Sequence, residues 1–112
     1  MELNVFERLL LRNIVPQIQG WNYANMKDAR ELLEGLFTEE EETDLQFEQV
    51  ETQVKWKIAK EDGELIPQIR EFSISNGLKS KIGKFLTQLD KEEKLGFEHF
   101  SLMEKFVEDD PS

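Results

Sequence analysis

The chain has 112 residues, with 24 Asp and Glu against 14 Lys and Arg, one histidine, no cysteine and a net charge of −10 at pH 7. This length fits one domain, and the lack of cysteine excludes disulfides, thiolate nucleophiles and Cys-ligated zinc. The acidic balance disfavours a direct nucleic-acid reader, which needs clustered Lys and Arg, and no apolar run approaches the ~18 residues of a membrane span.

Helical spacing of apolar residues predicts two helices in the first third of the chain. The first has Asn4 and Glu7 as a capping pair and ends at Pro16, and its helical spacing is carried by Leu3, Phe6, Leu9, Leu10, Ile14 and Val15. The second begins at Asn25, which has the side chain of a helix cap.

A third, short helix is predicted at the most acidic part of the sequence. Thr38 and Glu41 have the spacing of a capping box, and residues 39–42 are all glutamate. Acids in a first helical turn are stabilised by the helix dipole, so this run has a local structural explanation.

After the third helix the apolar period changes to two, which predicts strands. Val54, Trp56 and Ile58 alternate with lysines, and we expect all three on the inner face of a sheet. Residues 61–64 have turn composition, and the alternation resumes over residues 70–75.

The last third of the chain predicts two more helices. A lysine-rich helix follows Ser75 and stops near Gly96, and the last helix has an apolar stripe of Phe97, Phe100, Met103, Phe106 and Val107. The predicted fold is a single α+β domain over residues 1–107, followed by a polar tail over residues 108–112. Its order is helices, strands, helices, with a two- to three-stranded antiparallel sheet packed against four to five helices.

No pattern predicts a catalytic, cofactor or metal site. The stretch from Gly77 to Phe85 differs from a phosphate-binding loop, because five residues instead of four separate its glycines and Phe85 replaces the hydroxyl residue. His99 borders the apolar stripe of the last helix, which favours a structural role over acid–base chemistry. The glutamate run lacks the alternating ligands and central glycine of a calcium loop.

The candidate binding residues are two loop aromatics and the acids of the N-terminal half. Residues 1–50 contain eleven acids and four bases, whereas residues 51–112 contain thirteen acids and ten bases. An acidic surface attracts a basic partner, and an exposed aromatic anchors one. The alternative interpretations are a solvated face that maintains solubility and a Trp that packs on the core. The predicted partner-binding set is Trp21, Tyr23, Glu31, Glu34, Glu39, Glu40, Glu41, Glu42 and Asp44.

Four segments together resemble short, uncharacterised proteins of bacteriophages and prophages. They are the opening FERLLLRNIVP, the acidic turn capped by Thr38, the strand QVKWKI and the closing HFSLMEKFV. The resemblance implies a small accessory protein in the bacterial cytoplasm and assigns no catalytic residue.

We therefore expect a non-enzymatic protein that binds a basic protein partner, without a cofactor and without direct contact with nucleic acid or membrane. One alternative is an acidic nucleic-acid mimic that inhibits a bacterial nucleic-acid-binding or defence protein. Another is a structural component that assembles with itself. A third is an enzyme that uses carboxylates near the sheet turn, such as Glu61, Asp62 or Glu64.

Overall fold

The structure, a computed structural model, describes residues 1–108, in which a first short strand is followed by three helices, three short strands and two further helices. The elements are β1 (Glu2–Asn4), α1 (Val5–Ile14), α2 (Tyr23–Gly35), α3 (Glu39–Leu45), β2 (Glu48–Val50), β3 (Gln53–Lys55), β4 (Ile69–Glu71), α4 (Asn76–Lys91) and α5 (Phe100–Met103). Short 3₁₀ turns follow α1 and precede α5 (Val15–Gln17 and Phe97–His99), and a π-helical turn (Glu104–Glu108) follows α5. The predicted α+β class is confirmed. Residues 109–112 of the predicted tail lie outside the described residues.

The strands form two separate antiparallel pairs. β1 pairs with β4, with Leu3 opposite Arg70, and β2 pairs with β3, with Gln49 opposite Val54. Asn4 caps α1, which starts at Val5, so Leu3 lies before the helix although it is in phase with the apolar stripe. The residues before the cap are extended and pair with β4, which buries Leu3 completely.

Side-chain caps set the starts of the first three helices. The predicted capping boxes of α1, with Asn4, and of α3, with Thr38, are both present. α2 begins three residues earlier than predicted, because Asn22 is its cap and accepts a hydrogen bond from the Asn25 backbone at 2.7 Å. Asn25 therefore lies inside the first turn.

One cluster of buried apolar side chains joins the helices to the β1–β4 pair. Its members include Leu3, Leu11, Leu36, Leu45, Ile82, Leu86 and Leu102. Gly83 lets α4 approach the C-terminal turn closely, since a Cβ there would lie 2.8 Å from the Phe106 carbonyl oxygen. Gly83 therefore lies at a close crossing between α4 and the C-terminal turn.

The inner face predicted for the Trp56 region is only partly correct. Trp56 packs against the core, but Ile58 is 64% exposed. The reason is that β3 ends at Lys55, after which the Lys57 N–H donates to the Leu45 carbonyl at 2.8 Å and the strand alternation is lost.

The predicted apolar stripe of the last helix is also only partly buried. α4 ends at Lys91, well before Gly96, and Phe97 is 98% exposed, with Phe100 exposed as well. The segment starts as a 3₁₀ turn with about three residues per turn, so its first aromatics fall out of phase with the α-helical stripe. Phe106 alone among these three phenylalanines is buried.

Candidate functional site

A buried arginine connects α1 to the corner between α2 and α3. Arg8 has no exposed surface, and its guanidinium donates to Glu41 Oε2 at 2.7 Å and to the carbonyls of Leu36 (3.0 Å) and Gln68 (3.2 Å). Arg70 on β4 also donates to the Leu36 carbonyl, at 2.9 Å, and lies 3.3 Å from Glu41 Oε1. The two arginines thus satisfy carbonyls at the C-terminal end of α2 and compensate the charge of Glu41.

Glu41 is held by the same contacts that start α3. Its Oε1 accepts the Thr38 N–H at 3.0 Å, while the Thr38 hydroxyl accepts the Glu41 N–H at 3.1 Å. Burial alone would raise the pKa of Glu41, but the hydrogen bonds from Arg8 and the Thr38 backbone outweigh it and hold this pKa below its usual value. Its side chain is only 19% exposed, so this member of the predicted binding set acts mainly inside the protein.

The other acids of the predicted set divide into two groups. Three have cationic partners: Glu34 with Arg30 (3.1 Å), Glu42 with Arg12 (3.9 Å) and Asp44 with Lys60 (3.7 Å). Glu31, Glu39 and Glu40 are exposed and form no salt bridge with another described residue. We call Glu31, Glu39 and Glu40 the unpaired acids.

The two aromatics of the predicted set lie in different environments. Trp21 is half-buried and packs against the core, as the structural interpretation of this residue expects. Tyr23 is the first residue of α2 and is 82% exposed. Of the two, Tyr23 is therefore the one that is accessible to a partner.

A groove of about 470 Å³ runs between α2 and residues 72–75, the extended chain that leads from β4 into α4. Asp28 and Glu31 line its α2 side, three residues apart on one face of the helix. Among residues 1–108, no cationic side chain lines the groove. The apolar residues in its lining are Leu32, Phe72, Ile74 and Leu78.

Of these groove residues, only Glu31 belongs to the predicted partner-binding set, although Asp28 is another of the acids of the N-terminal half. Asp28 also lies in the groove, where its Oδ2 accepts a hydrogen bond from the Ser75 hydroxyl at 2.9 Å. Ser75 in turn caps α4 by accepting the Leu78 N–H at 3.2 Å. The spacing of Asp28 and Glu31 was the available signal, but nothing in the sequence places residues 72–75 beside them.

A second surface feature surrounds the exposed phenylalanines Phe97 and Phe100. The two phenylalanines line a shallow groove of about 270 Å³ with Leu95, His99 and Met103. Glu98 borders a separate groove of about 730 Å³ between α1 and the β2–β3 hairpin. Its lining includes the apolar side chains of Phe6, Leu9, Leu10, Val54 and Trp56. Exposed apolar patches of this kind mark protein contacts in many soluble proteins.

The remaining candidates have structural explanations. His99 Nδ1 accepts the Gly96 N–H at 3.0 Å, which fixes the turn before α5. The stretch from Gly77 to Phe85 is helical and lies within α4. Within residues 1–108 no group of His, Asp and Glu is arranged to hold a metal ion, and no helix there is long and apolar enough to cross a membrane.

The other carboxyl with a displaced pKa also belongs to a helix cap. Burial alone would raise the pKa of Glu7, but the hydrogen bonds from Lys105, at 2.7 Å, and from the Asn4 backbone lower it below its usual value. Glu7 and Glu41 lie outside the grooves described above. The carboxylates near the sheet turn, Glu61, Asp62 and Glu64, are exposed.

No protein-family model matches the chain, and no characterised protein or solved structure is significantly similar to it. Function is therefore inferred from the geometry and charge of this chain.

Proposed function

We propose that this protein is a non-enzymatic binding protein that holds a basic protein partner against the unpaired acids. The observation that supports this is the unequal compensation of charge along α2 and α3. Glu34, Glu41, Glu42 and Asp44 have cationic partners within the protein, whereas the unpaired acids face solvent and form no salt bridge with any other residue in the range 1–108. Uncompensated carboxylates attract cations over distances near the ~8–10 Å screening length, which speeds the encounter with a basic partner.

The cellular setting belongs to the same proposal. The resemblance of the four sequence segments to bacteriophage proteins supports an accessory role in the bacterial cytoplasm. A partner of that setting would be a basic host or phage protein.

The test compares two triple variants that remove the same charge from different places. Glu31→Gln, Glu39→Gln and Glu40→Gln neutralise the unpaired acids; Glu61→Gln, Glu64→Gln and Glu104→Gln are the matched control. Each reduces the magnitude of the net charge of −10 by three. Both variants and the wild type serve as bait in a bacterial lysate at low and high salt, and circular dichroism checks that all three fold.

The expected result is a set of basic proteins retained by the wild type and the control, released at high salt and absent from the first variant. Equal retention by the two triple variants would mean that net charge, and not these positions, drives capture. That result would refute the proposal.

The exposed aromatics favour a second candidate function, self-association. Phe97 is 98% exposed, and it lines a shallow groove together with Phe100, which is also exposed. If this surface meets a second copy of the chain, the mass measured by light scattering will rise with protein concentration. Phe97→Ser will abolish that rise, and a constant monomer mass for the wild type would rule the candidate out.

A further inference from the structure

We propose that the groove between α2 and residues 72–75 binds an extended segment of the basic partner, with one apolar side chain in the groove and flanking Lys or Arg side chains against Asp28 and Glu31. This inference rests on the proposed function, because it names the part of the partner that the acidic site takes. Glu31 belongs to both the unpaired acids and the groove.

The negative charge of the groove lining favours a basic occupant. In the part of the chain that the structure describes, Asp28 and Glu31 are the charged side chains in the lining, and no Lys, Arg or His contributes to it. Asp28 accepts one hydrogen bond from Ser75, and Glu31 forms no salt bridge with a described residue. An acidic or neutral segment would leave these carboxylates uncompensated as it removed water from them, whereas Lys or Arg beside them compensates the charge.

The apolar residues in the lining favour a partner segment that carries an apolar side chain as well as Lys or Arg. Leu32 and Leu78 are almost fully buried beneath the groove, while Phe72 and Ile74 are half-buried and still in contact with solvent. An apolar side chain placed over Phe72 and Ile74 would remove both of them from water. A lysine-rich segment without such a residue cannot make this contact.

The backbone beside the groove favours an extended segment over a helix. The β1–β4 pairing continues only as far as Phe72, whose N–H donates to the Met1 carbonyl at 2.8 Å. No described residue forms a backbone hydrogen bond with Ser73 or Ile74. A partner strand lying beside these two residues supplies both backbone hydrogen bonds and alternating side chains, as in other proteins that bind peptides by strand addition.

The groove can be filled without disturbing the core. Gly35, the last residue of α2, lines the groove, and a Cβ at this position would have no neighbour within 4 Å. Gly35→Leu therefore adds a side chain that starts in open space at the lining and is expected to fill the groove, while Gly35→Ala makes the same backbone change without filling it. Ser73→Leu, at an exposed position in the same lining, is a second filling variant if Gly35→Leu does not fold.

The probe is a blocked synthetic peptide, Gly-Lys-Lys-Leu-Lys-Lys-Gly, whose binding is measured by titration calorimetry and by NMR shifts of the backbone amides. Control peptides carry Ser in place of Leu, or Gln in place of every Lys. We expect the first peptide to bind more tightly than either control and to shift the amides of Glu31, Ser73 and Ile74. Glu31→Gln should weaken binding by about threefold and Gly35→Leu by about tenfold or more, while Glu64→Gln and Gly35→Ala leave it unchanged.

Other results would overturn the groove inference alone, or the groove inference together with the proposed function. Equal binding of the Leu and Ser peptides would show general attraction to acids, which overturns the groove inference and leaves the proposed function standing. The same holds if basic proteins are captured from lysate through the unpaired acids but Gly35→Leu captures them equally well. If Gly35→Leu abolishes self-association of the wild type, the occupant is a second copy and the basic segment is wrong. If neither peptide binding nor lysate capture depends on Glu31, both proposals fall.

Discussion

Replacing Arg8 by Met should be the most destabilising single change among the charged residues described above. The change keeps an apolar stem but removes the donors to Glu41, to the Leu36 carbonyl and to the Gln68 carbonyl. A hydrogen bond to a charged group contributes about 1.5–3 kcal/mol, and a buried acceptor without a partner costs about 1–3 kcal/mol. Arg70 still donates to the Leu36 carbonyl and remains near Glu41, so the loss is smaller than the full sum. We expect the free energy of unfolding to fall by about 3–4 kcal/mol, near the ~3–5 kcal/mol typical of a broken buried ion pair.

Urea denaturation followed by circular dichroism measures this loss, with Arg30→Met as the matched control. Arg30 pairs with Glu34 at 3.1 Å on the exposed face of α2, where such a pair contributes only about 0.3–0.5 kcal/mol. A cycle that combines Arg8→Met with Glu41→Gln should give a coupling energy of about 2 kcal/mol. If Arg8→Met destabilises no more than Arg30→Met, the buried cluster does not hold the α2–α3 corner, and the reasoning is refuted.

Three further changes have defined expectations. The folded-state pKa of Glu41 lies below its reference value of 4.5, so its contribution to stability is present above pH 4.5 and is lost as the pH falls through the folded pKa. Glu41→Gln should therefore make the free energy of unfolding less dependent on pH in this range. An unchanged pH dependence in acid denaturation would contradict the direction of the pKa shift. Gly83→Ala places a methyl group 2.8 Å from the Phe106 carbonyl oxygen and should lower the free energy of unfolding by about 1–3 kcal/mol, and with it the thermal unfolding midpoint. An unchanged midpoint would show that α4 and the C-terminal turn can move apart at no cost. Lys105→Met leaves the buried carboxylate of Glu7 without its cation and should lower the free energy of unfolding by about 3 kcal/mol at pH 7 but by much less near pH 4. Urea denaturation at both pH values measures this difference.

Helix starts were predictable where the signal lies within a few residues of the chain. The Asn4 and Thr38 capping boxes depend on side chains and N–H groups three residues apart, so the local sequence is sufficient to define them. The start of α2 was misplaced because Asn22 and Asn25 are both good caps, and only the folded chain distinguishes them.

The candidate site was predictable only in part, because charge compensation depends on distant residues. The sequence presents residues 39–42 as one acidic run, yet Glu41 is compensated by Arg8 and Arg70, whereas Glu39 and Glu40 form no salt bridge with a described residue. Those arginines lie 33 and 29 positions away in the chain, and no local pattern connects them to Glu41.

The sequence by itself determined the acidic character, the α+β class and most helix caps, because these depend on composition and on contacts between near neighbours. Tertiary structure decided which acids face solvent, which aromatics leave the core and how Asp28 and Glu31 come to lie beside residues 72–75. Contacts of that kind join segments about 40 residues apart in the sequence. They form only when the core brings α2, β4 and the start of α4 together, and a local sequence pattern does not record that packing.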